Sequence, residues 1–234
     1  MHSSQNFDAV LFDLDGTLLD TLRDIGEACN RVLAERGYPP HPIEAYRYLV
    51  GDGARVLWQR ALPEGLCDDA TVDACLRDYI DEYARGWDVH TQPYEGIGDL
   101  LDALVERGLK LAVLSNKPHP FTVQCVDTFL ARWQFHAVRG QSEAFPRKPD
   151  PASAQDVAKQ LGTTPDRILY VGDTGTDMQT ATAAGMYAVG VLWGFRERAE
   201  LETNGEKRII AHPRELLSLI PSPGYSGRGD KAAN

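Results

Sequence analysis

Long apolar runs, basic stripes and ordered cysteine spacings are all missing from this chain of 234 residues. No stretch approaches the roughly 20 consecutive apolar residues that a membrane-spanning helix needs, so no membrane partner is expected. Met1 to Asn6 is polar and carries no apolar signal-peptide core, which points to a cytoplasmic protein. Cys29, Cys67, Cys75 and Cys125 lack the paired spacing of a zinc site and read as reduced, mostly buried thiols rather than a disulfide framework. Lysine and arginine number 24 against 34 acidic residues, giving a formal net charge of −10. A nucleic-acid phosphate backbone would be repelled, so nucleic acid is not expected as a partner. No internal repeat is evident. What remains, 25% charged and 43% hydrophobic residues, is the composition of an ordinary globular enzyme, long enough for one sizeable core and a smaller appended module.

Against that background, four aspartates stand out. Asp13 and Asp15 lie in Phe12-Asp13-Leu14-Asp15-Gly16-Thr17, and Asp173 and Asp177 in Gly172-Asp173-Thr174-Gly175-Thr176-Asp177. Each group follows a short apolar run, Phe7 to Phe12 and Ile168 to Val171, that reads as a buried strand of a parallel sheet. Ligands of open α/β sheets bind beyond the carboxyl ends of the strands, where such carboxylates can converge. Like charges held close raise each other's pKa unless a cation neutralises them, and a hard ion such as Mg²⁺ takes oxygen ligands of this kind. Asp20 and Asp177 also fit the humbler roles of turn former and helix cap.

The segment Asp13-Leu14-Asp15-Gly16-Thr17-Leu18-Leu19-Asp20 resembles the first motif of the haloacid dehalogenase-like hydrolase superfamily. Leu114-Ser115-Asn116-Lys117 resembles its second motif, Lys148-Pro149-Asp150-Pro151 its third, and Gly172-Asp173 through Asp177 its fourth. With Gly51-Asp52-Gly53 and Val191 to Arg196, the layout is most similar to phosphoglycolate phosphatases. The resemblance implies a Mg²⁺-dependent phosphomonoesterase acting on a small phosphorylated metabolite, 2-phosphoglycolate first among them. It implies Asp13 as nucleophile, Asp15 as general acid and base, and Asp13, the Asp15 carbonyl and Asp173 as metal ligands. Ser115, Asn116 and Lys148 would bind phosphate, and Asp177 would orient water or Lys148. These roles suit the chemistry. An aspartyl-phosphate splits one difficult displacement into two easier ones, and phosphoryl transfer asks mainly for positioning and electrostatic stabilisation. Lys117 reads equally as an exposed loop lysine or a residue at the pocket mouth.

Other readings share parts of this pattern. A phosphomutase of the β-phosphoglucomutase kind has the same core chemistry, and nucleotides, sugar phosphates or pyrophosphate are alternative substrates. A non-catalytic phosphorylatable receiver would leave Asp15 and the long helical insertion without a purpose.

Along the chain, the first strand is followed by about seventy residues of helical pattern. Residues 21–90 are expected to form an all-helical cap inserted into a doubly wound, largely parallel Rossmann-like α/β core of residues 1–20 and 91–220. Gly51-Asp52-Gly53 interrupts two of the cap helices as a possible specificity loop or a plain turn. Trp58, Tyr79 and Tyr83 read as core, and Arg47 and Arg55 as a solvated face. His119 reads as a loop or helix-capping residue. Residues 221–234, rich in Gly, Ser and Pro, are expected to be disordered. Monomer and homodimer remain equally open.

Overall fold

The computed structural model describes residues 6–144 and 146–220; the expectation for 221–234 lies outside the described residues. Strand β1 (Ala9–Phe12) is followed by a two-residue strand, β2 (Leu19–Asp20). Helices α1 (Leu22–Glu35), α2 (Tyr46–Leu49), α3 (Ala54–Ala61) and α4 (Asp69–Ala84) come next, and the chain returns through β3 (Gln92–Pro93). From there helix and strand alternate: α5 (Ile97–Glu106), β4 (Lys110–Pro118), α6 (His119–Phe129), β5 (Phe135–Gln141) and α7 (Ala152–Leu161). The series ends with β6 (Ile168–Gly172), α8 (Gly175–Ala184), β7 (Tyr187–Val191), α9 (Arg198–Glu202) and β8 (Arg208–Ile210).

The long strands form one six-stranded parallel sheet in the order β5-β4-β1-β6-β7-β8. Side chains alternate across it with the period of two that extended backbone imposes. Val10, Phe12, Leu111, Val113, Leu169 and Val171 share a core with Ile97, Leu100 and Leu104 of α5 and Cys125 of α6. Ala9, Leu11, Ala112, Leu114, Ile168 and Tyr170 face the other way, into Ala154, Val157 and Leu161 of α7 and Met178 and Ala181 of α8. Helices thus cover both faces, as a parallel sheet with buried strands requires. Because β1 is flanked by β4 on one side and β6 on the other, the connections diverge around it. That divergence opens a crevice at its carboxyl end.

Strand β4 runs four residues further than the hydrophobic stretch Leu109 to Leu114 suggests. Its pairing with β5 resumes at Pro118 opposite Gln141 after an irregularity, so Ser115, Asn116 and Lys117 sit within the strand's end and not in a loop.

The helical segment buries Ile25, Cys29, Val32 and Leu33 of α1, Trp58 of α3, and Val72, Cys75, Tyr79 and Tyr83 of α4. Of the cysteines, only Cys67 is exposed, and none is disulfide-bonded. The segment leaves and rejoins the rest of the chain through β2 and β3, which pair antiparallel with Leu19 opposite Pro93. Just beyond this pair, the buried carboxylate of Asp24 accepts hydrogen bonds from His90 N, from Thr91 N at 2.8 Å and from Thr91 Oγ1 at 2.8 Å. Asp24 therefore ties the outgoing helix to the returning chain. No helix among the described residues is long and apolar enough to cross a membrane.

Asp24→Ala would strand two backbone donors while the Thr91 hydroxyl keeps Trp87 O, and is expected to cost about 2–4 kcal/mol by urea denaturation. A smaller effect is expected at Asp8, where the Arg167 guanidinium holds the carboxyl down at about 2 against an ordinary 3.8. A lowered folded-state pKa gives stability that is present above the unfolded value and lost as pH falls through the folded one. Because the pair is largely exposed, Asp8→Asn should cost under about 1 kcal/mol at neutral pH, the difference closing between about pH 4 and pH 2.

Candidate active site

The aspartates converge where the topology opens the crevice. Asp13 directly follows β1, its N–H donating to Val171 O of β6 at 2.9 Å. Asp173 follows β6, and Asp177 lies in the first turn of α8. One oxygen from each of Asp13, Asp173 and Asp177 lies within 4.8 Å of the others, and all three residues are buried.

Each carboxylate has its own set of partners. Asp173 Oδ1 accepts from Thr17 Oγ1 at 3.0 Å and Oδ2 from Phe195 N at 2.8 Å. Asp177 Oδ2 accepts from Thr174 N and Oγ1 in a capping box, while its Oδ1 lies 2.7 Å from Lys148 Nζ. One Asp177 oxygen thus caps the helix and the other meets the lysine. Lys148 Nζ also lies 2.9 Å from Asp13 Oδ1, so the one ammonium pairs with both carboxylates.

This arrangement leaves negative charge in excess. Burial, and then the neighbouring Asp177, push the Asp13 carboxyl well above the ordinary carboxylate range. The same two causes raise Asp173 to about 7. A divalent cation would remove the conflict: its charge would hold both groups ionised, and the donors present are oxygens alone, as hard cations prefer. The backbone also keeps space free around Asp173. Gly16 has φ +85°, and a Cβ there would collide with the Asp173 carboxylate; a Cβ on Gly194 would strike Asp173 and Gly16 O. The residues therefore fit a metal ion.

Lys148, joined to Pro149 by a cis peptide bond, is buried. Burial works against its charge, but Asp13 and Asp177 outweigh that cost and hold the ammonium well above the ordinary lysine value. Asn116 anchors the Lys148 backbone from both ends: its Oδ1 accepts from Lys148 N at 2.9 Å and its Nδ2 donates to Lys148 O at 3.2 Å. The same Nδ2 reaches Gly51 O at 3.1 Å, so the Asn116 side chain is fully occupied with protein partners. Ser115 Oγ accepts from Lys117 N at 3.2 Å.

Asp13, Asp15, Ser115, Asn116 and Lys117 line a cavity of about 50 Å³ whose opposite wall is Gly51, Gly53, Ala54, Leu57 and Tyr79 from the helical segment. The Gly51-Asp52-Gly53 loop is laced to the sheet. Thr176 Oγ1 donates to Asp52 Oδ1 at 2.7 Å, Arg147 Nη1 to Asp52 O at 3.0 Å, and Arg196 Nη2 to Val50 O at 2.8 Å. Arg47 donates to Gly194 O at 2.7 Å, and is not the solvated residue the sequence suggests, whereas Arg55 pairs with Asp69 and Asp73 within the helical segment. His119 opens α6, its Nδ1 accepting from Gly140 N.

Lys117 resolves to the pocket. It is buried, with Nζ 3.1 Å from Asp15 Oδ1 and 4.5 Å from the centre of the Tyr83 ring. Burial opposes its charge, yet Asp15 more than compensates and the ammonium stays above the ordinary value. Tyr79 and Tyr83 are buried as expected, but Tyr79 also lines the cavity and Tyr83 floors Lys117. Sequence reasoning missed Thr17 and the Phe195 N–H as partners of Asp173. It included Val191 to Arg196 in a family resemblance but offered no role for those residues.

A family model described as haloacid dehalogenase-like hydrolase matches residues 10–191, from β1 to the end of β7. The chain belongs to that family. A phosphoglycolate phosphatase of Pseudomonas putida is 37% identical over 218 residues, covering 92% of this chain and 80% of the relative. An N-acetylmuramic acid 6-phosphate phosphatase of Pseudomonas aeruginosa is 32% identical, covering 91% and 94% respectively. Among solved structures, one from Lactobacillus delbrueckii subsp. bulgaricus superposes with a TM-score of 0.86 at 29% identity, covering 92% of this chain and 98% of that one.

Gly16→Ala would combine a strained positive φ with a clash against Asp173. It is expected to cost about 2 kcal/mol or more and to abolish the rise in melting temperature that a saturating divalent ion gives the unaltered protein. Thermal denaturation with and without the ion checks both.

Proposed function

We propose that this phosphatase is a Mg²⁺-dependent phosphomonoesterase that hydrolyses 2-phosphoglycolate through an aspartyl-phosphate on Asp13. The observation that carries this reading is the Asp13 carboxylate, placed just beyond β1, paired with Lys148 and lining one cavity with Asp15. A carboxylate so placed can offer an oxygen to phosphorus on its cavity side. As the Asp13 O–P bond forms, the ester P–O bond breaks, and Asp15 delivers a proton to the departing oxygen. In the second half, Asp15 takes a proton from water as that water attacks phosphorus. The Asp13 O–P bond then breaks and phosphate leaves.

Lys148 supplies positive charge to the phosphoryl oxygens while Asp177 and Asn116 keep it in place, and Ser115 offers its hydroxyl as a donor. Asp13, Asp173 and the Asp15 carbonyl would hold the metal, whose charge would screen the phosphoryl oxygens and keep neighbouring carboxylates ionised. Residues 21–90 act as a cap over the core of 1–20 and 91–220, with Gly51-Asp52-Gly53 closing the pocket and excluding bulk water. The P. putida relative, a phosphoglycolate phosphatase, supports the choice of substrate. The N-acetylmuramic acid 6-phosphate phosphatase relative favours a second reading, a sugar-phosphate phosphatase with the cap open wider.

Phosphate release with Mg²⁺ across 2-phosphoglycolate, sugar phosphates, nucleotides and pyrophosphate should give the highest kcat/KM for 2-phosphoglycolate. A sugar phosphate at the head of the series would select the second reading, and interconversion of sugar phosphates without net release would select a phosphomutase. Asp13→Asn should lower kcat by about 10⁴-fold or more while leaving the melting curve cooperative, and a chelator should silence the unaltered enzyme until Mg²⁺ is restored.

A further inference from the structure

Among the described residues, the cavity is lined by the two carboxylates that follow β1, Asp13 and Asp15, and by a single cation, Lys117. Lys148 lies behind Asp13 and is held between that residue and Asp177. The nearby arginines are engaged elsewhere: Arg60 with Asp52, Arg55 with Asp69, Arg47 with Gly194 O, and Arg196 with Val50 O and Glu200. Lys117 is the one cation among the described residues that lines this space, buried, paired with Asp15 and backed by the Tyr83 ring.

Its place relative to the reacting atoms is informative. Asp15 is the residue that serves the leaving oxygen, and Lys117 Nζ is 3.1 Å from it. An anionic group recognised there must therefore be attached close to the ester oxygen. Resting on the phosphatase reading above, we infer that Lys117 is a specificity-determining residue that binds a carboxylate on the carbon bearing the phosphate ester. The substrate class is then the phosphate monoesters of 2-hydroxy acids. The protein supplies what such a contact needs: a charged donor pre-placed in a water-poor site, so that little ordering is required when the anion arrives. An overall charge of −10 makes that local cation the more decisive, since the rest of the surface repels a dianionic substrate.

The test compares 2-phosphoglycolate with ethyl phosphate, which keeps the phosphoryl group and the two-carbon leaving group but lacks the carboxylate. In the full-length protein with Mg²⁺, Lys117→Met should lower kcat/KM for 2-phosphoglycolate by roughly 100-fold more than for ethyl phosphate, the additional loss appearing mainly in KM. Taking this ratio cancels any effect that Lys117 exerts on Asp15, because both substrates use the same acid. Equal losses for the two substrates would overturn the inference and make Lys117 a positioning residue for Asp15 alone. Lys117→Gln, which keeps a donor towards Asp15 without the charge, gives the same comparison if the methionine variant does not fold. Failure of the underlying substrate reading looks different: the unaltered enzyme would then turn over ethyl phosphate as well as 2-phosphoglycolate. A third substrate, with its carboxylate one methylene further from the ester carbon, should be discriminated against by the unaltered enzyme and not by Lys117→Met.

Discussion

Everything at this site depends on how excess negative charge is held at the carboxyl end of β1. Asp13, Asp173 and Asp177 are buried within a few ångströms of one another, and Lys148 is the one ammonium bonded among them. A fold that places three carboxylates together without water has to neutralise them or protonate them. Here the raised pKa values of Asp13 and Asp173 state the conflict, and Lys148 relieves part of it. A divalent cation would relieve the remaining part. The cluster is thus unsatisfied in a directed way, and the backbone preserves that state: Gly16 and Gly194 keep side-chain atoms out of the space around Asp173.

The supports of this cluster come from separate parts of the chain, which makes it a test of the whole fold. Asn116 at the end of β4 fixes Lys148, whose ammonium meets Asp177 at the start of α8, and Asp177 in turn caps that helix through Thr174. The segment after β7 supplies the Phe195 N–H to Asp173, and Trp193 donates to Thr17 O. Misplacing β1, β4, β6 or β7 would break a contact on this circuit. The helical segment joins it less tightly. Its loop contacts are mostly hydrogen bonds at the rim, through Asp52, Gly51 and Val50, and its neck is the β2–β3 pair with the Asp24 clamp. Edge-to-face packing of Tyr83 on Phe121 and of Trp87 on Phe129 joins it to α6 as well.

Much of this was legible in the sequence because it is local. Buried strands are short apolar runs with turn residues behind them, and carboxylates directly after such runs have few places to go in a parallel sheet. Asp13 and Asp173 could therefore be picked out before their geometry was known, whereas Lys148 stood out through its resemblance to a family motif and the proline behind it. Asp177 drew two readings, and its two oxygens make a contact of each kind, one to Thr174 and one to Lys148. Features that depend on pairing between distant segments were not legible. The β2–β3 neck consists of two residues on each side, too short to show a period, and Asp24 looks like one more polar residue on an amphipathic helix. Thr17 and Phe195 serve Asp173 across more than twenty residues of chain or far more, and the Phe195 contribution is a backbone N–H that no side-chain pattern can signal.

Lys117 shows where the boundary between the two lies. Its neighbours in sequence mark a strand end, which leaves the lysine free to face solvent or pocket. What decides is Tyr83 on α4, which lies beneath the ammonium, and Asp15, which pairs with it. The core strand thus supplies the charge and the helical segment supplies the surface that keeps it dry. A phosphatase core reads only the phosphoryl group, so discrimination between esters has to arise on the leaving-group side, where core and helical segment meet. Two lysines flank that boundary: Lys148 pairs with Asp13 and Asp177, and Lys117 with Asp15. Because the two ammoniums are held by different carboxylates, a change in the helical floor beneath Lys117 could alter which leaving group is favoured without touching the partners that hold Lys148.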